Sequence, residues 1–158
     1  MQQIYKIDET RVGNIKKRAL LRSGKVLLIA YLLILPLFVL QNHGPVLVNI
    51  VLPFLFTGLI IFFSISVAMK RIEKSYKSMQ IILNDQGVET KADMMPFKAI
   101  EWKNLKIEEK SSGAINLYDM SVPTFSRKFY GRGWIIIQPE TLEKDKLLAE
   151  LQKHAGNY

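Results

Sequence analysis

Cysteine is absent from this chain of 158 residues, and histidine occurs only as His43 and His154. The first absence excludes a disulfide framework, a thiol nucleophile and a zinc site built on thiolates. An enzyme needs a convergent set of acid, base, nucleophile or metal ligands, and two histidines offer little of this. We therefore expect no catalytic residues, no cofactor and no metal, and we expect that the protein is not an enzyme.

Charge is absent from the middle of the chain, because residues 26–69 contain no Asp, Glu, Lys or Arg. A soluble domain has about a quarter of its residues charged, so this stretch excludes an ordinary soluble protein. Polar and turn-forming residues interrupt it at positions 41–45, Gln-Asn-His-Gly-Pro. The pattern predicts a transmembrane helical hairpin at residues 26–69, with spans at about 20–40 and 46–69.

The net charge of +8 is concentrated beside the predicted hairpin, with five bases at residues 16–25 and four at 70–77. By the positive-inside rule, both termini are predicted to be cytoplasmic and the turn to face outward. A signal peptide is the alternative, but no cleavage site of small residues follows the first apolar run. We expect a multi-pass protein of the bacterial cytoplasmic (inner) membrane, with the lipid bilayer as a partner and no nucleic acid. His43 and His154 would then lie on opposite sides of the membrane.

The first 25 residues are predicted to be a cytoplasmic N-terminal segment. Residues 4–7 suggest a short extended piece, and Asp8 is a candidate cap for a helix that leads straight into the first span.

Beyond residue 77 the sequence changes to short alternating runs with turn signals, which is typical of antiparallel strands. We predict strands at residues 79–83, 88–91, 97–102, 105–110, 114–118 and 134–137, with a weaker candidate at 124–128. Pro139 and Thr141 signal a terminal helix, whose apolar stripe is Leu142, Leu147, Leu148 and Leu151. Residues 78–158 are therefore predicted to form one cytoplasmic domain.

Two short motifs carry a family resemblance: Ala-Ile-Glu-Trp-Lys-Asn-Leu at residues 99–105, and Ile-Ile-Ile-Gln-Pro at 135–139 before the terminal helix. With the two spans, this layout resembles the YcxB-like family of bacterial membrane proteins. The resemblance implies an α+β membrane protein whose cytoplasmic part is a pleckstrin-homology-like antiparallel β-barrel or curled sheet, capped by the C-terminal helix. It implies a packing role for Trp102. Residues 84–87 would then be the first hairpin loop, and since they carry an acid and no cation, specific phosphoinositide binding is not expected.

One segment, residues 127–134, combines cations with aromatic rings and could contact lipid headgroups or a partner. In the commoner arrangement, Phe129 and Trp134 point into the core and the cations are merely exposed. The candidate contact residues are Arg127, Lys128, Phe129, Tyr130, Arg132 and Trp134.

These features favour a non-enzymatic, membrane-anchored binding or scaffolding module with an unknown protein partner. The alternative is an immunity or toxin-resistance membrane protein that binds an effector. Self-association stays open, since Ser64 and Ala68 have the small-xxx-small spacing that lets helices approach closely, within one chain or between two.

Overall fold

A computed structural model describes residues 2–41 and 51–155 of the chain. Two long helices, α1 (Val12–Gln41) and α2 (Leu52–Lys77), occupy its first half. The chain divides into two compact units: a sheet unit, made of the chain up to Ile15 and from Glu73 onward, and a helical unit, Lys16–Ile72. The predicted outward turn and His43 lie outside the described residues.

The sheet unit contains two antiparallel sheets and two further helices. The first sheet has the order β1 (Gln3–Lys6), β2 (Gln80–Leu83), β3 (Gly87–Lys91), β4 (Lys98–Glu101), and the second has the order β5 (Leu105–Glu109), β6 (Ile115–Asp119), β7 (Trp134–Ile137). The helices are α3 (Thr124–Tyr130) and α4 (Lys144–Ala155). The protein is thus α+β, and over the described residues its two sheets remain separate, so a closed barrel is not formed.

The strand β1 joins the start of the chain to residues far along it. It pairs with β2 in the register Gln3↔Leu83 to Lys6↔Gln80. Tyr5 and Ile7 are buried, whereas Ile4 is 53% exposed, so the segment buries one face as a strand in a half-buried sheet does. The extended piece expected at residues 4–7 is therefore an edge strand of the first sheet.

The pairing of β1 with β2 means that the first pair of strands is connected by both long helices. The helices α1 and α2 lie between β1 and β2 in the chain, so they form the connection of the first strand pair. Residues 84–87 join β2 to β3 and are the second connection. The hairpin turn predicted at residues 84–87 is confirmed, and the strand β1 precedes it in the same sheet.

Asp8 caps a short 3₁₀ helix (Glu9–Arg11) directly before α1. Its carboxylate accepts hydrogen bonds from the Thr10 backbone N–H at 3.0 Å and from the Thr10 hydroxyl at 2.6 Å. These bonds stabilise the ionised carboxyl and lower the pKa of Asp8. The predicted cap is confirmed, and α1 then continues to Gln41, as expected of a helix that leads into the first apolar segment.

Trp102 is buried, with 4% of its surface exposed. Its indole Nε1–H donates to the carbonyl oxygen of Asn84 at 2.9 Å, and its ring stacks on His154 with 4.3 Å between centroids. Asn84 also accepts, through its side-chain Oδ1, from the N–H groups of Gln86 and Gly87. Trp102 thus links the turn after β2 to the last turn of α4, which is a packing role.

Two expectations about the end of the chain are wrong. Residues 124–128, the weaker strand candidate, begin the helix α3. Leu142 does not belong to the buried stripe, because it precedes α4 and is 49% exposed. Leu147 and Leu151 are fully buried in the shared core, with Leu148 packed against it.

The helical unit exposes apolar side chains on both helices. Leu33 on α1 is 68% exposed, and Phe56 on α2 is equally so. An apolar groove of about 510 Å³ separates Gly24 and Leu27 from Phe54, Gly58 and their neighbours. Within the described residues, one helix, α2, is long and apolar enough to cross a membrane, and none of its apolar stretch is buried.

Candidate functional site: an aromatic and basic surface

The short helix α3 lies in the connection between β6 and β7. Pro123 precedes it with extended backbone angles, and the N–H of Arg127 donates to the Pro123 carbonyl at 3.1 Å. Gly131 ends it in the left-handed region, at φ 62°, which a side-chain-bearing residue adopts only with strain. A proline before the helix and a glycine after it therefore set its length.

Three aromatic rings project from α3 into solvent: Phe125 (61% exposed), Phe129 (71%) and Tyr130 (70%). Phe125 and Phe129 are four residues apart and so share a helix face, with 4.5 Å between ring centroids. The Phe125 and Tyr130 rings lie 6.1 Å apart. Together the three form a contiguous surface, here called the aromatic surface, and Phe129 does not point into the core.

The segment that carries the aromatic surface is basic, and Asp119 lies beside Gly133 at its end. Lys128 and Arg132 are exposed on α3 and directly after it. Residues 120–139 contain no Asp or Glu at all. A partner of the aromatic surface therefore meets two exposed cations.

Arg127 is held against the domain and is not presented outward. One guanidinium nitrogen donates to the Thr124 hydroxyl at 3.0 Å and another contacts the Met120 sulfur at 3.3 Å. The guanidinium carbon lies 5.9 Å from the centroid of the Tyr118 ring, a cation–π distance. The role of Arg127 is therefore to hold α3 on β6.

Trp134 packs beside the same tyrosine. Its ring stacks on Tyr118 with 6.1 Å between centroids, and its indole Nε1 is buried without a hydrogen bond to any described residue. Of the six residues predicted from sequence, the structure exposes Lys128, Phe129, Tyr130 and Arg132 on one segment, while Arg127 and Trp134 support it. Phe125, which sequence reasoning missed, is signalled by its spacing of four from Phe129.

Lys98 fixes the chain directly after α3. Its ammonium donates to the Trp134 carbonyl at 2.7 Å, and burial lowers the pKa of this lysine. Lys98 also lines a cavity of about 180 Å³ with Tyr76, Thr90 and Met95 among others. Ligand pockets usually measure roughly 300 to 1,000 Å³, so this cavity is small for a ligand site.

Three glutamates outside this region form surface ion pairs, whereas Glu140 is buried, with 5% of its surface exposed. Glu108 pairs with Lys110, Glu101 pairs with Lys103 at 2.8 Å, and Glu143 pairs with Lys146 at 3.1 Å. Each pair raises the pKa of its lysine through the hydrogen bond. Among the residues that the structure describes, no group of three His, Asp or Glu side chains is placed to hold a metal ion.

Comparison with known proteins gives no match, whether to a protein-family model, to a curated protein or to a solved structure. The resemblance to YcxB-like proteins therefore rests on the two short motifs and the layout alone.

Proposed function

We propose that this protein is a non-enzymatic binding module anchored in a bacterial inner membrane by a two-span hairpin. The observation that carries the proposal is the pairing of β1 with β2 across the helical segment. Both ends of residues 16–72 return to the same sheet unit, so this segment crosses a bilayer an even number of times. If α2 crosses, a second crossing is required, and we propose that the span predicted at about residues 20–40 of α1 supplies it.

The exposed apolar surface of the helical unit supports a lipid environment. Soluble monomers rarely expose contiguous apolar patches above a few hundred Å². Here large apolar side chains such as Leu32, Leu33, Phe56 and Phe62 are each more than 60% exposed. The bases that flank both helices support a cytoplasmic sheet unit, which is what the positive-inside rule predicts for such flanks.

The sheet unit supports the pleckstrin-homology-like part of the proposal. It has seven strands in two antiparallel sheets, followed by α4, which contacts β5 and the turn at Trp102–Asn104. In this proposal β1 is the first strand of the domain, and the membrane hairpin is an insertion in the first strand connection. The resemblance to YcxB-like proteins implies two spans followed by the strands, so the strand β1 before the helices departs from that layout.

A binding role follows from what the surface offers. The sheet unit exposes three large rings and two cations on one short segment, and such side chains are enriched where proteins meet partners or membranes. Glu101 and Glu143 are instead engaged with neighbouring lysines on the surface of the unit. We therefore propose that the domain acts by contact and not by catalysis.

Membrane-impermeant thiol labelling tests the topology, because the chain has no cysteine and each introduced one reports alone. In intact bacteria, Ser112→Cys, in the turn between β5 and β6, is expected to stay unlabelled until the membrane is opened. His43→Cys is the matched control and is expected to react from outside. Labelling of Ser112→Cys in intact cells, or of neither position before lysis, contradicts the proposed hairpin.

Crosslinking in native membranes tests the binding role. A C-terminal tag recovers the complexes of the intact protein, and Phe125→Ser with Phe129→Ser is the comparison because both rings are exposed. We expect the double variant to fold normally and to lose the crosslinked species, whether lipid or protein. An unchanged set of crosslinks would refute binding through this surface.

A further inference from the structure

We infer that the aromatic surface is a second membrane contact, which docks the sheet unit onto an anionic lipid surface. Phe125, Phe129 and Tyr130 would enter the interface while Lys128 and Arg132 meet headgroup phosphates. The inference rests on the proposed function, since it takes the helical unit to be in the bilayer.

The side-chain chemistry matches an interface more closely than a hydrocarbon core or water. Phenylalanine supplies apolar area, and tyrosine has an apolar ring with a polar tip, the type of residue enriched at the headgroup level. The three rings are between 61% and 71% exposed and lie on one helix of seven residues. A short protruding helix of this kind inserts into a lipid surface without requiring a matching pocket.

Charge selects an anionic surface. The segment from Met120 to Pro139 has three cations and no acid, so nothing within it repels phosphates. Arg127 is occupied by Thr124 and Tyr118, which leaves Lys128 and Arg132 as the exposed pair. Each basic residue near an anionic leaflet contributes a factor of about five in binding.

The rigid support under α3 favours insertion over random exposure. Arg127 contacts the Tyr118 ring of β6, and Lys98 holds the chain after the helix through the Trp134 carbonyl. Gly131 and Pro123 limit the helix to a length that keeps the rings together. The aromatic surface is therefore presented as a preformed group, so little ordering entropy is lost on docking.

Because the sheet unit and α2 belong to one chain, even weak binding of the aromatic surface to lipid is enough for docking. The sheet unit begins within α2, the helix that we propose to cross the bilayer, so the lipid surface is always within reach. Tethering turns docking into an intramolecular step with a high effective concentration. Docking is then an equilibrium between an engaged and a released domain, which salt and lipid charge would shift.

Depth-dependent fluorescence quenching on the full-length protein in nanodiscs tests this inference. Ser126→Cys places a fluorophore within α3, and Ser112→Cys, in the exposed turn between β5 and β6, is the matched control. With lipids carrying a nitroxide at the headgroup level, we expect strong quenching at position 126 and little at position 112. Adding Lys128→Gln and Arg132→Gln should lower the ratio of docked to undocked protein about 25-fold in anionic discs. Phe125→Ser with Phe129→Ser should abolish the quenching.

The outcomes separate the inference from the proposed function. A protein that fails to enter the discs, or that alkaline carbonate extracts from native membranes, overturns the membrane hairpin itself. A protein that is integrated but shows equal quenching at positions 126 and 112 overturns only the docking inference. Equal quenching in neutral and anionic discs refutes the contact of Lys128 and Arg132 with headgroup phosphates. Recovery of a protein bound to α3 in place of lipid also overturns the inference.

Discussion

Ile7→Ala should destabilise the sheet unit far more than Ile4→Ala, although both replace the same side chain near the same end of the chain. Ile7 is 3% exposed and forms a bridge with Thr141, whereas Ile4 is 53% exposed. The substitution removes three carbon atoms, worth about 0.8 kcal/mol each when buried, and leaves a cavity at position 7. We expect a loss of about 3 kcal/mol for Ile7→Ala and about 1 kcal/mol or less for Ile4→Ala.

Amide hydrogen exchange of the full-length protein in nanodiscs measures this difference. Since β2 is the neighbour of β1, its amides should exchange roughly 100-fold faster in Ile7→Ala if the unit opens cooperatively. The Ile4→Ala variant controls for the change in strand propensity, because it keeps the same residue types in the same segment. Equal effects of the two substitutions would refute burial of Ile7. Faster exchange confined to residues before Lys16 would show that β1 is not part of the cooperative unit.

Three further predictions test the packing and the caps. Trp102→Ala should lower the free energy of unfolding by about 3 to 5 kcal/mol. Trp102→Phe loses mainly the hydrogen bond to Asn84 and should lower it by about 1 to 2 kcal/mol. Amide hydrogen exchange measures both, and equal losses would contradict ring packing as the main role of Trp102. Gly131→Ala and Gly133→Ala both put a side chain on a left-handed residue, but a Cβ at position 133 would also lie 2.8 Å from Val122 Cγ2 and 2.9 Å from Asp119 Cβ. We expect the free energy of unfolding to fall by about 1 kcal/mol for Gly131→Ala and by about 2 to 4 kcal/mol for Gly133→Ala. The reverse order in thermal unfolding would refute the close approach at Gly133. Because the pKa of Asp8 is lowered, its ionised form stabilises the fold above the ordinary carboxyl range, and this contribution is lost as the pH falls through the lowered pKa. Asp8→Ala should therefore be less stable than the wild type near pH 7, and the difference in stability should narrow as the pH is lowered towards about 2. A stability difference that does not change with pH would exclude the charge as its origin.

The strands after residue 77 are largely predictable because their signals are local. Alternation of apolar and polar residues and turn-forming residues such as Asn84 act over a few positions, and both are visible in the sequence. The predicted strand at residues 134–137 coincides with β7, and the five predicted between residues 79 and 118 agree with β2 to β6 to within one or two residues. Closure of the sheets into a barrel, in contrast, depends on how distant edges meet, which no local signal encodes.

The helix α3 has no clear signal within residues 124–128 themselves. Thr124 to Lys128 read Thr-Phe-Ser-Arg-Lys, with one apolar residue between polar ones. The decisive signals lie outside that window: Pro123 begins the helix and Gly131 ends it. Taken together they also predict the pairing of Phe125 with Phe129, which turns two separate aromatics into a surface.

The strand β1 could be expected as an extended piece, but not its partner, because its neighbour in the sheet lies beyond both long helices. Pairing Lys6 with Gln80 closes a loop that contains α1 and α2, at an entropic cost of ~4 kcal/mol if that loop were a flexible chain. Four paired residues at a sheet edge do not offset such a cost alone. The burial of Tyr5 and Ile7, continued by Val12 and Ile15 at the start of α1, supplies the rest. Most of the loop is helical, so it has fewer flexible residues than a disordered chain of the same length and closing it costs less. The sequence signal for such a strand is therefore an alternation of apolar and polar residues that runs directly into a helix. Its partner strand can be predicted only when the segment before α1 and the segment after α2 are considered as parts of one domain.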